Sequence, residues 1–195
     1  GVENGYIREG VSAAWPVDTY QGPEADMQFV STIPKAHHIA FRPGGQLLIA
    51  VGSAVFANHA PFQFGLFNTR SANVAAFSSD ITMLAGVRGG FFVSDGEQTS
   101  FFRQDQGWYS FKQEVVERAP VLAGSLAHDS VLLKEVLGDN APAGFGRVWA
   151  STKGVCLGSD DGTFINLTDE KIQYPVGYTT GACLVKDTTV IHTAS

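Results

Sequence analysis

The chain has 195 residues and a formal net charge of −6. That length specifies one domain, or at most two small ones, and is enough to bury a substantial core. An apolar fraction of 44% with a charged fraction of 16% excludes a disordered chain. The acidic balance argues against nucleic-acid or anionic-membrane binding through bulk charge.

No stretch of about 18 apolar residues exists, so no membrane-spanning helix is expected. The chain opens Gly1-Val2 without methionine or a leader pattern, as a processed product or a piece of a longer chain would. Fourteen Phe and 22 Gly suit many short strands joined by tight turns.

Residues 1–35 combine Pro16, Pro23 and Pro34 with isolated aromatics, among them Trp15 and Tyr20. Prolines confine strands to edges, so this region reads as an extended arm that needs a body or a neighbour to lie on. The remaining 36–195 read as one β domain. His38 to Phe41 and Gln46 to Val51 form a hairpin across Pro43-Gly44-Gly45, and Ala54 to Asn58 continues it. His37 and His38, at the strand start, are expected to face one in and one out.

Residues 59–79 interrupt the pattern with Phe62, Phe64 and Phe67 between Pro61 and Arg70. Three phenylalanines exceed what a loop needs for its own order. The segment either folds back as a core flap or docks on another subunit. Val74 to Phe77 is an outer strand.

The hairpin logic returns at Ile81 to Val87, Arg88-Gly89-Gly90, Phe91 to Val93 and Thr99 to Arg103. Trp108 to Phe111 alternates like a strand, and Lys112 to Leu122 reads as another. Ser130 to Leu137 fits a helical turn or a strand equally. Phe145 to Ser151, Val155 to Gly158 and Thr163 to Leu167 form three strands, the last two joined by Asp161-Gly162, a strong hairpin turn. Gly181 to Val185 and Thr188 to Thr193 make a final hairpin.

A glycine turn followed by an apolar strand, a polar turn and a second strand therefore occurs three times: from Pro43, from Arg88 and from Lys153. The first two copies are about 45 residues apart and the next about 65, near the period of four-stranded propeller blades, roughly 40–45 residues. The expected fold is all-β: about four antiparallel propeller-like blades, closed or open, preceded by the arm.

Catalytic patterns are sparse. The five histidines show no i, i+4 pair and no ligand spacing, so no metal site is expected. Cys156 and Cys183 sit among small apolar strand residues and read as buried thiols rather than a disulfide. Asp160-Asp161 with Asp169-Glu170 reads as turn carboxylates rather than a calcium loop. No nucleophile elbow, phosphate loop or dinucleotide fingerprint occurs, so neither enzyme activity nor a cofactor is expected. A glycosidase would need paired carboxylates, and Asp95, Asp160, Asp161 and Glu170 carry no pairing signal. Trp108 and Tyr109 suit sugar stacking, which makes a carbohydrate-binding propeller or adhesin the alternative to an assembly role.

The segment His59 to Arg70, then Ala75-Ala76-Phe77 and Asp80 to Leu84, resembles the blade connection of tailed-bacteriophage tail proteins. Val148-Trp149-Ala150-Ser151-Thr152-Lys153-Gly154-Val155-Cys156-Leu157-Gly158 with Asn166-Leu167-Thr168 is similar to their recurring blade motif, with Lys153 in place of a proline. The likeness spans about residues 38–185. It implies a virion component of the tail or head-to-tail region, assembled in the host cytoplasm. That component has no enzymatic role and forms a homo-oligomeric ring against other tail or connector proteins. Its interface residues would be Trp15, Tyr20, Phe62, Phe64 and Phe67.

Overall fold

The computed structural model describes residues 30–31, 35–69, 73–105, 108–141, 143–168, 171–172, 174, 177–186 and 189–195. The chain is all-β apart from one short helix. A first sheet runs β2 (His38–Arg42), β3 (Gln46–Val51), β4 (Ala54–Ala57) and β6 (Val74–Ala76), in that order. A second runs β7 (Met83–Val87), β8 (Gly90–Ser94), β9 (Thr99–Gln104) and β10 (Phe111–Glu117). A third runs β11 (Val131–Leu132), β12 (Phe145–Ser151), β13 (Gly154–Ser159) and β14 (Phe164–Asn166). The last unit is the hairpin β15 (Gly181–Lys186) and β16 (Thr189–Ala194). Beside the first sheet, β1 (Val30–Ser31) pairs with β5 (Phe67–Asn68).

Every named ladder is antiparallel, and each four-stranded sheet is a plain meander, its strands joined mostly by tight turns, with the aromatic insert between β4 and β6 and a segment containing a short helix between β11 and β12. The sheets stack face to face. Period-2 alternation sends Phe91 and Val93 of β8 towards the first sheet's Ala40, Leu48 and Ala50. Phe92, one residue on, faces Trp149 and Cys156 of the third sheet. In the third sheet, Val155 and Leu157 face Cys183 and Val185 of the final hairpin. The middle strands are therefore apolar on both faces, which explains why β8 and β13 read as continuous apolar runs. The second and third sheets approach so closely at Gly158 that a Cβ there would lie 2.5 Å from the Phe92 ring.

About four antiparallel blades, in a closed, partial or open arrangement, were expected. The described residues give three four-stranded sheets and one two-stranded hairpin, and these sheets do not close on one another. Two elements differ from the sequence reading. Trp108 to Ser110 is a bend and not a strand, because both aromatic side chains turn to the insert instead of alternating. One strand, β10, replaces the two expected between 108 and 122, ending before Pro120. Ser130 to Leu137 is strand and helix in succession: β11 pairs with β12, then α1 (Leu133–Leu137) packs Leu133 into the third core. His37 is exposed and His38 half-buried. Among the described residues no helix is long and apolar enough to cross a membrane.

Candidate functional site

The aromatic insert is organised by Asn58, which is fully buried at the end of β4. Its Oδ1 accepts from the Leu47 N–H at 2.8 Å, and its Nδ2 donates to the carbonyls of Gly45 at 3.0 Å and Ala60 at 2.7 Å. Its own carbonyl accepts from Trp108 Nε1 at 2.6 Å and from the Tyr109 hydroxyl at 3.1 Å. The Tyr109 hydroxyl also lies 2.7 Å from the His59 carbonyl. Burial raises the Tyr109 pKa, so the hydroxyl stays a donor. The polar tips of Trp108 and Tyr109 thus fasten the insert to the second sheet, and both side chains are half-buried.

The three phenylalanines separate by role. Phe67 is fully buried with Leu47 and Ile49 and completes the first sheet's own core. Phe64 is half-buried and packs edge-on to Phe41, ring centres 5.7 Å apart, and to Phe62 at 6.2 Å. Phe62 is 64% exposed and has φ of 62°, a left-handed conformation that a bulky residue rarely adopts. Its N–H donates to the Gly45 carbonyl at 2.9 Å, and its ring covers Gly45. The fold therefore holds an aromatic ring out to solvent at a local conformational cost.

Ile39 and Phe41 extend this surface, 58% and 57% exposed. They lie opposite Ile49 and Leu47 in the β2–β3 register and so share their face. Ile39, Phe41 and Phe62 together form an apolar patch on the end face of the stack. The far end is similar. Leu184 pairs with Ile191 across the last hairpin, both on its outer face, and both are exposed. Sequence reasoning did not mark these four aliphatic and aromatic strand residues as surface. The alternation in His38-Ile39-Ala40-Phe41-Arg42 places Ile39 and Phe41 on one face and His38, Ala40 and Arg42 on the other, and the fold buries the face that carries the arginine. Trp15 and Tyr20, the other two predicted interface residues, lie outside the described residues.

The remaining candidate groups are occupied by the fold. Asp95 Oδ1 accepts from the N–H groups of Glu97 and Gln98, at 3.0 and 2.9 Å, and its Oδ2 from the Ser78 hydroxyl. Asp160 accepts from the N–H of Arg88 at 3.0 Å and of Phe145 at 3.2 Å, joining the second sheet to the third. Asp161 accepts from the Ser159 hydroxyl and the Thr163 N–H, which hold its pKa below the usual carboxylate range. Asp169 and Glu170 lie outside the described residues. Both cysteines are free thiols. Burial, and next the nearby Glu117 carboxylate, push the Cys156 thiol far up, and burial pushes Cys183 up to about 11. Neither thiol is activated at neutral pH. Among the described residues no His, Cys, Asp and Glu cluster is placed to hold a metal ion. No known family model and no curated protein matches the chain.

Proposed function

We propose that this protein is an assembly subunit that works through the end faces of its sheet stack. In full, the reading is a propeller-like structural or adaptor protein of a tailed-bacteriophage virion, in the tail or head-to-tail region. The virion assignment rests on the resemblance of the strand-turn motifs around His59 to Leu84 and Val148 to Thr168. The assembly role rests on a separate observation, the contiguous exposure of Ile39, Phe41 and Phe62 on a rigid sheet face. Apolar patches of this kind mark contacts with other macromolecules. Aromatic anchors dominate such contacts, each contributing roughly 2 kcal/mol or more when central. In a ring the same contact repeats around the axis, so modest pairs sum to a stable assembly.

Light scattering coupled to size-exclusion chromatography tests this directly. The expected result is a discrete oligomer in the wild type that dissociates in Phe41→Ser/Phe62→Ser, with the thermal midpoint retained. A wild-type monomer at tens of micromolar would remove self-assembly from the reading.

A further inference from the structure

A cavity of about 290 Å³ opens where β2, β7 and β12 of the three sheets converge; its walls include Phe41, Arg88, Ser130, Phe145, Arg147 and Asp160. No two of the three sheets supply it alone. Phe41 and Phe145 are 57% and 43% exposed, two apolar rings left in an open recess. Among the described residues the Arg88 side chain has no hydrogen-bond or ion-pair partner. Arg147 spends one N–H on the His128 carbonyl, at 2.9 Å, and among the described residues the rest of its fork has no partner.

Behind this wall lies a third guanidinium. Arg42 is buried, and its Nε and Nη2 donate to the carbonyls of Val87 and Arg88 at 3.2 and 3.1 Å. Its Nη1 donates to Gln46 Oε1. All three acceptors are neutral, and among the described residues no carboxylate pairs with it. Burial lowers its pKa to about 10, so it remains a cation at neutral pH. The one acidic wall residue, Asp160, has both oxygens engaged by main-chain N–H groups. Asp129, next to Ser130, lines a separate cavity of about 130 Å³ with His128 and Leu184. With Arg88 and Arg147 against the single carboxylate of Asp160 and Arg42 behind the wall, the recess holds an excess of positive charge in a chain of net charge −6.

We propose that this cavity binds a small carboxylate carried on a ring of about monosaccharide size. A guanidinium fork matches the two oxygens of a carboxylate. The buried Arg42 strengthens the attraction because its charge has no paired carboxylate among the described residues. Phe41 and Phe145 offer apolar faces to the ring, and the volume sits at the lower end of the range for small-ligand pockets. A sugar acid presents this chemistry directly, and a peptide ending in an aromatic residue presents the same pair of groups with its terminal carboxylate two carbons from the ring. Phe41 belongs to both the end-face patch and the cavity wall, whereas Arg88 and Arg147 belong to the cavity alone, so their substitution tests the cavity apart from assembly.

The test is a titration of the full chain, followed by amide NMR shifts, with glucuronate, N-acetylphenylalanine and, as the uncharged control, glucose. Arg88→Gln is the main variant, since among the described residues its side chain makes no hydrogen bond or ion pair and the fold should be retained with an unchanged thermal midpoint. Saturable binding of glucuronate, weakened at least about tenfold by Arg88→Gln and at least tenfold stronger than glucose, supports the proposal; that is the scale of one charge-assisted hydrogen bond. Binding of N-acetylphenylalanine in its place, with the same sensitivity to Arg88→Gln, supports it with a peptide end as the source. No saturable shift with either carboxylate overturns it. So does binding that glucose equals, or that persists in Arg88→Gln/Arg147→Gln.

Discussion

Asn58 has no water to fall back on, and every polar group of its side chain is used. Replacing it with alanine leaves the Leu47 N–H without its partner in a closed environment and removes two further bonds, although the Gly45 carbonyl keeps the Phe62 N–H. Orphaned buried groups cost about 1–3 kcal/mol each, against a net gain of roughly 1 kcal/mol for a hydrogen bond that is made. Asn58→Ala should therefore lower stability by about 2–4 kcal/mol. Urea denaturation should show a reduced midpoint at unchanged slope. A loss below about 1 kcal/mol would mean that the insert is held by its phenylalanines instead. This residue carries no sequence signal, since one asparagine after a strand looks like any turn former. The phenylalanines beside it were visible by their density, but their division into Phe67 as core and Phe62 as surface depends on which way the loop folds.

At the level of elements, the turns made the hairpins readable. Pro43-Gly44-Gly45, Arg88-Gly89-Gly90 and Asp161-Gly162 each fall between paired strands, as their chemistry requires. Gly162 shows why the residue type is obligatory there. It has φ of 92°, and a Cβ would lie 2.1 Å from the Phe101 ring. Gly162→Ala combines a left-handed strain of about 1 kcal/mol with displacement of a fully buried ring, for a total near 2–4 kcal/mol. Thermal unfolding should register the loss, whereas Gly177→Ala, at φ of 108° with open space around it, should show the strain component alone. A Gly162→Ala loss equal to that of Gly177→Ala would place the Phe101 ring elsewhere. The elements that misled were those settled by tertiary contacts. Trp108 and Tyr109 have the alternation of a strand, yet the Asn58 and His59 carbonyls draw both to one side. The cavity was unreadable for the same reason, since Phe41, Arg88, Ser130 and Arg147 are separated by tens of residues and meet only when three sheets converge.

For the whole molecule, the question is whether a stack of sheets unfolds as one unit or sheet by sheet. Each sheet has its own ladder, but neither β8 nor β13 has a solvent face, so each depends on neighbours to cover it. Trp149 is the largest side chain joining the second and third sheets. It is fully buried, its ring centre lies 5.3 Å from Phe92 and 6.1 Å from Phe164, and among the described residues its Nε1 has no hydrogen-bond partner. Its contribution is therefore packing alone, and Trp149→Ala should cost about 3–5 kcal/mol. Set against a total stability of about 5–15 kcal/mol, that is a large share. In a Trp15→Phe background, Trp108 becomes the one tryptophan left in the Trp149→Ala variant, and it reports on the first sheet through its bond to Asn58. If the stack is one cooperative unit, the Trp108 fluorescence midpoint in urea should fall together with that of far-UV circular dichroism. A Trp108 transition that stays at its Trp149-containing position while the dichroism shifts would show that the first sheet folds independently of the third. The end faces would then belong to separable units, and assembly through one end would not require the other to be folded.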